Sequence, residues 1–269
     1  MKKNGLQILI SNDDGYDAKG LQVIAAHMRK YGDVTVVAPA TGQSGKSASI
    51  TLFTDLYLNK LQEEPGYRLF TFSGSPVDCI KMGMRIFESE GRVPDLVVTG
   101  INHGSNATAA SAYSGTIGAA AEGAFYGLPS IGLSLTSHDP DADFSPVLDH
   151  VDLILEKFFA HTPPAGIYLN VNVPAIPSSQ IKGIRIAHQG AGSWRREFDE
   201  LRDDQGRDCF RMSGTLLDFE KEYVSGGYLQ GDHRLLDDGY ISIVPHRIDT
   251  TDYDVAARMA CDWKCDTIC

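Results

Sequence analysis

Two adjacent carboxylates, Asp13 and Asp14, close the apolar stretch "LQILISNDDGYD", with Asn12 before them and Gly15 after. Side chains alternate between faces along an extended chain, so both acids can address one ion only where the backbone turns. Gly15 permits that turn. Neighbouring carboxylates repel, and one is driven to hold a proton unless a cation lies between them. Two further stretches supply oxygen donors: "APATGQSGKS" carries Thr41, Ser44 and Ser47, and "DLVVTGINHGSN" carries Asn102 and Asn106. Two carboxylates, an amide oxygen and a hydroxyl drawn from three loops suit Mg²⁺ or Mn²⁺ better than zinc. Alone, "NDDG" is equally a turn followed by an acidic helix cap. The recurrence of oxygen donors after other strands favours the metal.

A second stretch, "YSGTIGAAAEGAFYGLPSI", opens a small-residue helix with Ser114, Gly115 and Thr116. Free N–H groups and hydroxyls at a helix start form a phosphate cradle, although Ser114 by itself reads as an N-cap. In "SGSPVDC", Gly74 and Ser75 precede a helix starting at Pro76, and Asp78 strengthens its N-terminus. The chemistry these residues suit is phosphomonoester hydrolysis, with Asp13 and Asp14 as the catalytic pair and one of them accepting a proton from water. An aspartyl nucleophile would favour acids spaced DxD, and a dinucleotide oxidoreductase would need GxGxxG after the first strand. Neither pattern is present there.

Strands and helices alternate through the first half. Strands are expected at 7–12, 33–38, 95–101, 129–135 and 167–173, and helices at 18–31, 76–88, 114–127 and 145–160. Near-continuous apolar strands imply a parallel sheet covered on both faces. The fold class is therefore α/β, a Rossmann-like doubly wound, mostly parallel sheet. Ligands bind such sheets outside the carboxyl ends of the strands, where Asp13, Ser44 and Asn102 fall. Residues 40–75 read as less regular. Beyond about 175, short strand candidates ("IKGIRIAHQG", "DCFRMSGTLLDF", "GYISIVPH") alternate with charged loops before a terminal helix from about 250. This gives a catalytic core at 1–175 and a β-rich C-terminal lobe or arm at 176–269, with a long polar segment from Asp218 to Gly239.

The chain has 269 residues, 42% of them hydrophobic, enough for one large core. Its 24 basic and 35 acidic residues leave a net charge of −11, with no basic stripe for a nucleic-acid backbone. A small anion remains acceptable to a locally positive site. The first apolar segment is too short for a secretory signal, and no window approaches the roughly 20 apolar residues that cross a bilayer. The odd number of cysteines, without paired CxxC spacing, fits a reduced cytoplasmic setting.

Seven stretches taken together resemble the SurE family, the stationary-phase survival proteins acting as metal-dependent 5'/3'-nucleotidases: "ILISNDDGYDAKGL", "VTVVAPATGQSGKSASIT", "FSGSPVDCIKMG", "PDLVVTGINHGSN", "YSGTIGAAAEGAFYGLPSIGLSL", "LNVNVP" and "DDGYISIVPH". They follow the family order over roughly residues 6 to 247. The resemblance implies a metal site of Asp13, Asp14, Ser44 and Asn102 holding one divalent ion per subunit, Mg²⁺, Mn²⁺ or Co²⁺. It implies hydrolysis of nucleoside monophosphates, in some members also of short polyphosphate, while the helix start itself points to phosphate binding by Ser114, Gly115 and Thr116, with Asn106 beside them. It further implies a C-terminal extension exchanged between subunits of a homodimer or homotetramer. Two departures stand out: Ser75 replaces a common threonine, and "APATGQSG" lacks the charged residues usual before its serine. A noncatalytic nucleotide-binding module on the same fold is the competing reading.

Several other residues invite attention. His103 follows a proposed ligand, which gives it either a contact with substrate or, slightly favoured, a place on loop surface. His27 and His150 read as solvated helix positions. His233 lies in the polar segment, where a flexible arm would bring it toward a site. Trp194, Arg195 and Arg196 offer base stacking and a cation, or equally surface packing. Cys261, Cys265 and Cys269 recur every four residues along a terminal helix, where reduced thiols on a half-buried face are expected.

Overall fold

Consecutive residues of the first strand serve different cores: Ile8 and Ile10 pack in one apolar cluster, Leu9 in another. That division reflects the two-residue period of a strand buried on both faces. The computed structural model describes residues 5–195, 198–212, 215–218 and 229–263. In chain order the strands are β1 (Leu6–Ser11), β2 (Gly32–Pro39), β3 (Leu58–Glu64), β4 (Tyr67–Phe72), β5 (Leu96–His103), β6 (Ser130–Leu135), β7 (Ile167–Val173), β8 (Ile184–Ile186), β9 (Gly192–Arg195), β10 (Phe198–Arg202), β11 (Asp208–Met212), β12 (Thr215–Asp218) and β13 (Ile241–Arg247). The α-helices are α1 (Lys19–Met28), α2 (Pro76–Ser89), α3 (Gly115–Phe125), α4 (Ser145–Ala160), α5 (Asp232–Asp237) and α6 (Tyr253–Asp262).

Nine strands form the main sheet in the order β3-β4-β2-β1-β5-β6-β7-β13-β8. From β4 through β7 every neighbouring pair is parallel. Renumbered along the chain, these six strands run 3-2-1-4-5-6, the doubly wound order, whose direction reverses between β1 and β5. Leu21, Ile24 and Met28 of α1 and Val147, Val151 and Phe158 of α4 cover the face of Ile8 and Ile10. Cys79, Ile80 and Phe87 of α2 and Ala119 of α3 cover the face of Leu9. The expected fold class is observed.

Three regions differ from the sequence expectation. Residues 40–75 contain the antiparallel β3–β4 pair. β3 is exposed along its whole length and reads "LNKLQEE", so it carries the charges of a protected edge rather than an apolar pattern. The main sheet crosses the division expected at 175, since β13 pairs antiparallel with β7 and parallel with β8. The pairs β9–β12 and β10–β11 form two separate antiparallel ribbons. Finally, the polar segment from Asp218 to Gly239 contains α5, with Asp232 fully buried.

Candidate functional site

β1 ends at Ser11, and the turn that follows is held by its own side chains. Asn12 Nδ2 donates to Gly15 O at 2.8 Å, and Gly15 adopts φ +108°, a conformation that favours glycine. Gln43 N donates to Asp13 O at 2.7 Å, and Tyr16 N to Pro39 O at 3.0 Å, so the loop after β2 is fastened to the acids. Asn12 Oδ1 is buried and has no hydrogen-bond partner among the described residues. A buried polar atom left without a partner is costly unless a ligand satisfies it.

The turn sends the two carboxylates to different neighbours. Asp13 is almost fully buried against the start of α3, where Thr116 Oγ1 donates to its Oδ1 at 2.6 Å. A Cβ built on Gly115 would lie 2.8 Å from Asp13 Cβ and 3.0 Å from its Oδ2, so only glycine lets the helix approach this closely. Burial pushes the Asp13 carboxyl up to about 6; the Thr116 hydroxyl draws it down and the Asp14 charge raises it further. A divalent cation would supply the positive charge that this ionised carboxylate lacks.

Asp14 turns instead toward the end of β5. Its Oδ2 lies 3.1 Å from both His103 N and His103 Nδ1. The β5–β6 register shifts between Thr99 and Asn102, an irregularity of the kind that re-aims side chains beside a site. Asn102 Nδ2 is committed to Gly104 O at 2.9 Å, so any atom it offered a cation would be Oδ1.

Ser44 lies in an exposed turn one residue after Gln43, the residue bonded to Asp13. Ser47 has a structural duty: its hydroxyl donates to Ala112 O at 2.6 Å and its N to Tyr113 O at 3.0 Å, tying this loop to the approach to α3. Asp78 forms a capping box with Ser75, as the sequence suggests, and also accepts from Thr51 N at 3.1 Å. Thr41 Oγ1 receives only a long 3.4 Å contact from Gln43 Nε2.

The expected phosphate residues divide. Ser114 is the N-cap of α3, accepting from Ile117 N at 3.1 Å. The Thr116 hydroxyl is spent on Asp13. Asn106 directs Nδ2 to Ser134 Oγ at 2.8 Å while its N donates to Asn172 Oδ1 at 2.8 Å, which ties it to β6 and β7.

Several histidines depart from their expected surface role. His27 Nε2 meets Asp152 at 2.7 Å and His150 Nδ1 meets Pro146 O at 2.8 Å; both are partly buried. His233 sits on α5 packed against Gly190, not on a loop. Trp194 and Arg195 lie on β9, while Arg196, Cys265 and Cys269 fall outside the described residues. Cys261 is exposed on α6, which buries no residue, so the helix is not half-buried. Two features escape sequence reasoning. One is the His103–Asp14 contact, for which adjacency to Asn102 was the available signal. The other is Asp232, fully buried and accepting from Thr108 N, Gly190 N and His233 N.

Among the described residues no group of three or more His, Cys, Asp and Glu is placed to hold a metal ion. The cleft instead offers two carboxylates supplemented by uncharged oxygens. Fold and cleft together define an α/β protein with an oxygen-rich site at the switch point of a Rossmann-like sheet, the crevice between β1 and β5. The profile of the family described as "Survival protein SurE" matches residues 8–196. The "5'-nucleotidase SurE" of Cytophaga hutchinsonii is 40% identical over 257 residues, covering 96% of each chain. That of Christiangramia forsetii is 36% identical over 253 residues, covering 93% of this chain and 94% of its own. The crystal structure of the SurE protein from Aquifex aeolicus superposes with a TM-score of 0.78 at 29% identity, over 96% of this chain and 99% of that one. The chain belongs to the SurE family.

Proposed function

We propose that this protein is a metal-dependent 5'/3'-nucleotidase, hydrolysing nucleoside monophosphates to nucleoside and phosphate, with short polyphosphate as a further substrate. The observation that carries the reading is the placement of Asp13 and Asp14 at the switch point, one buried beneath the start of α3 and the other turned to the end of β5. The names of the Cytophaga and Christiangramia relatives support the same activity.

The donors fit a hard divalent cation. The raised Asp13 carboxyl and the orphaned Asn12 Oδ1 both call for positive charge. Asp13, Asp14, Asn102 and Ser44 would hold one Mg²⁺, Mn²⁺ or Co²⁺ ion per subunit. Such an ion supplies positive charge to a phosphate oxygen and acidifies water. The remaining steps belong to the chain. Ser114 and Gly115 at the α3 start bind the phosphate together with Asn106, while Thr116 orients Asp13. One of the two carboxylates accepts the proton of the attacking water. Measuring phosphate release from a panel of nucleoside monophosphates and polyphosphate, with Mg²⁺, Mn²⁺, Co²⁺ or EDTA, tests the reading. Release that EDTA stops and Asp13→Asn abolishes is expected. Nucleotide binding without release in any metal would instead establish the noncatalytic module.

No helix among the described residues is long and apolar enough to cross a membrane. A cytoplasmic homodimer or homotetramer completes the proposal. It is supported by the apolar side chains Phe198, Phe210 and Met212 exposed on the β10–β11 ribbon and by the unburied α6, both within the extension 176–269.

A further inference from the structure

His103 makes two separate contacts with one oxygen of Asp14. Its backbone N–H donates to Asp14 Oδ2 at 3.1 Å, and its ring Nδ1 lies 3.1 Å from the same atom. A carboxylate oxygen only accepts, so Nδ1 carries the ring proton in this contact. Nε2 is buried and has no hydrogen-bond partner among the described residues, which suits the bare lone pair of that tautomer. The ring itself is fixed edge-on against Phe144, with centroids 5.0 Å apart and planes at 85°. Its side chain is only 12% exposed. A carboxylate otherwise rotates freely about its last bond and exposes either oxygen or both. Two donors on Oδ2 remove that freedom and leave Oδ1 as the oxygen that His103 does not engage.

The geometry points to His103 as the positioning residue of the metal centre: it fixes the Asp14 carboxylate so that one predetermined oxygen faces the ion. This inference rests on the metal site proposed above. The same residue sits one position after Asn102, so a single strand end supplies a ligand and the clamp on another ligand. The contact that matters is the Nδ1 donor, because the backbone donor survives substitution by alanine or asparagine.

An amide nitrogen on asparagine stands the same number of bonds from Cβ as Nδ1 of histidine. His103→Asn therefore retains the donor while removing the ring, and His103→Ala removes both. Metal-stripped wild type, His103→Ala and His103→Asn would be titrated with Mn²⁺ by calorimetry at one fixed pH, after thermal melts of the metal-free proteins establish folding. Loss of a hydrogen bond that orients a ligand weakens metal binding about 10- to 100-fold. His103→Ala should show that loss, and His103→Asn should stay within about threefold of wild type by the same reasoning. Wild-type affinity in His103→Ala overturns the inference, and so does an equal loss in both variants, which would assign the effect to the ring packing. If wild type itself fails to bind Mn²⁺, the metal site falls and this inference falls with it.

Discussion

Thr116 Oγ1 donates a 2.6 Å hydrogen bond to Asp13 Oδ1 across 103 residues of chain. The hydroxyl belongs to the first turn of α3, and the carboxylate to the turn after β1. A helix start placed to receive an anion has therefore taken the protein's own anion first. Burial opposes the charge on Asp13, while this hydroxyl favours it. The balance leaves a carboxylate that ionises late and has most to gain from a cation.

Removing that hydroxyl should make Asp13 harder still to ionise. A hydrogen bond to a charged group contributes about 1.5–3 kcal/mol, or about one to two pH units. In Thr116→Val, nearly isosteric, the acid limb of metal-dependent phosphate release should move to higher pH by that amount. Thr116→Ser should keep the wild-type limb. A pH–rate profile of the three proteins decides, and superimposable Val and wild-type limbs would refute the role.

Linkage gives Asp13 a second signature in the metal-free protein. Its folded carboxyl, at about 6, lies above the unfolded value of 3.8, so the folded state binds more protons between those limits. Stability from this group is present below about pH 4 and declines as pH rises to about 6, by about 3 kcal/mol in total. Asp13→Asn cannot ionise and should escape the decline. Urea denaturation in EDTA at several pH values should show wild type losing stability relative to Asp13→Asn across this window. Added Mn²⁺ should restore wild type alone above it. A pH-independent difference between the two proteins would contradict the assignment.

Much of this was readable in the residues. Helix 145–160 and strand 167–173 have the limits expected of them, because a long amphipathic period and an apolar β-branched run leave few alternatives. The adjacency of Asp13 and Asp14 announced an electrostatic conflict wherever the chain placed them. What the residues concealed was pairing at a distance. Nothing near Thr116 indicates that its hydroxyl serves Asp13 rather than a ligand. In "INHG" the adjacency of His103 to Asn102 places it beside the site but does not reveal its turn back onto Asp14. β3 escaped notice because an edge strand has no buried face to write a pattern, and α5 because six residues are too few to show a period.

Asp232, late in the chain, is tied through Thr108 to the segment that leads into α3. The fully buried carboxylate accepts from Thr108 N on both oxygens, at 3.0 Å on Oδ2 and 3.1 Å on Oδ1, and from Gly190 N at 3.0 Å and His233 N at 2.8 Å on Oδ1. Thr108 holds φ +61°, a strained value for a non-glycine residue, six positions before the α3 N-cap. Asp232→Ala would leave these donors buried without an acceptor, at about 1–3 kcal/mol each, and should cost at least about 3 kcal/mol in total. Asp232→Asn retains Oδ1 and should lose only about 1 kcal/mol. Denaturant midpoints at fixed pH measure both, and equal losses would show that charge rather than the acceptor matters.

Gly115 offers the sharpest separation of site geometry from helix propensity. Glycine to alanine in a helix ordinarily gains up to about 1 kcal/mol. Here the added methyl would stand 2.8 Å from Asp13 Cβ and 3.0 Å from Pro76 Cγ, closer than carbon atoms tolerate. Pro76 begins α2 and is buried, so the carboxylate and the α3 start must absorb the displacement. Overpacking of this kind costs about 1–3 kcal/mol. A shift of even 1 Å at a reacting centre lowers turnover about 100-fold. Gly115→Ala should therefore fold, with a lower denaturant midpoint, and lose about two orders of magnitude in kcat/KM. An alanine variant as active as wild type would mean that α3 does not bear on the Asp13 carboxylate as the distances require.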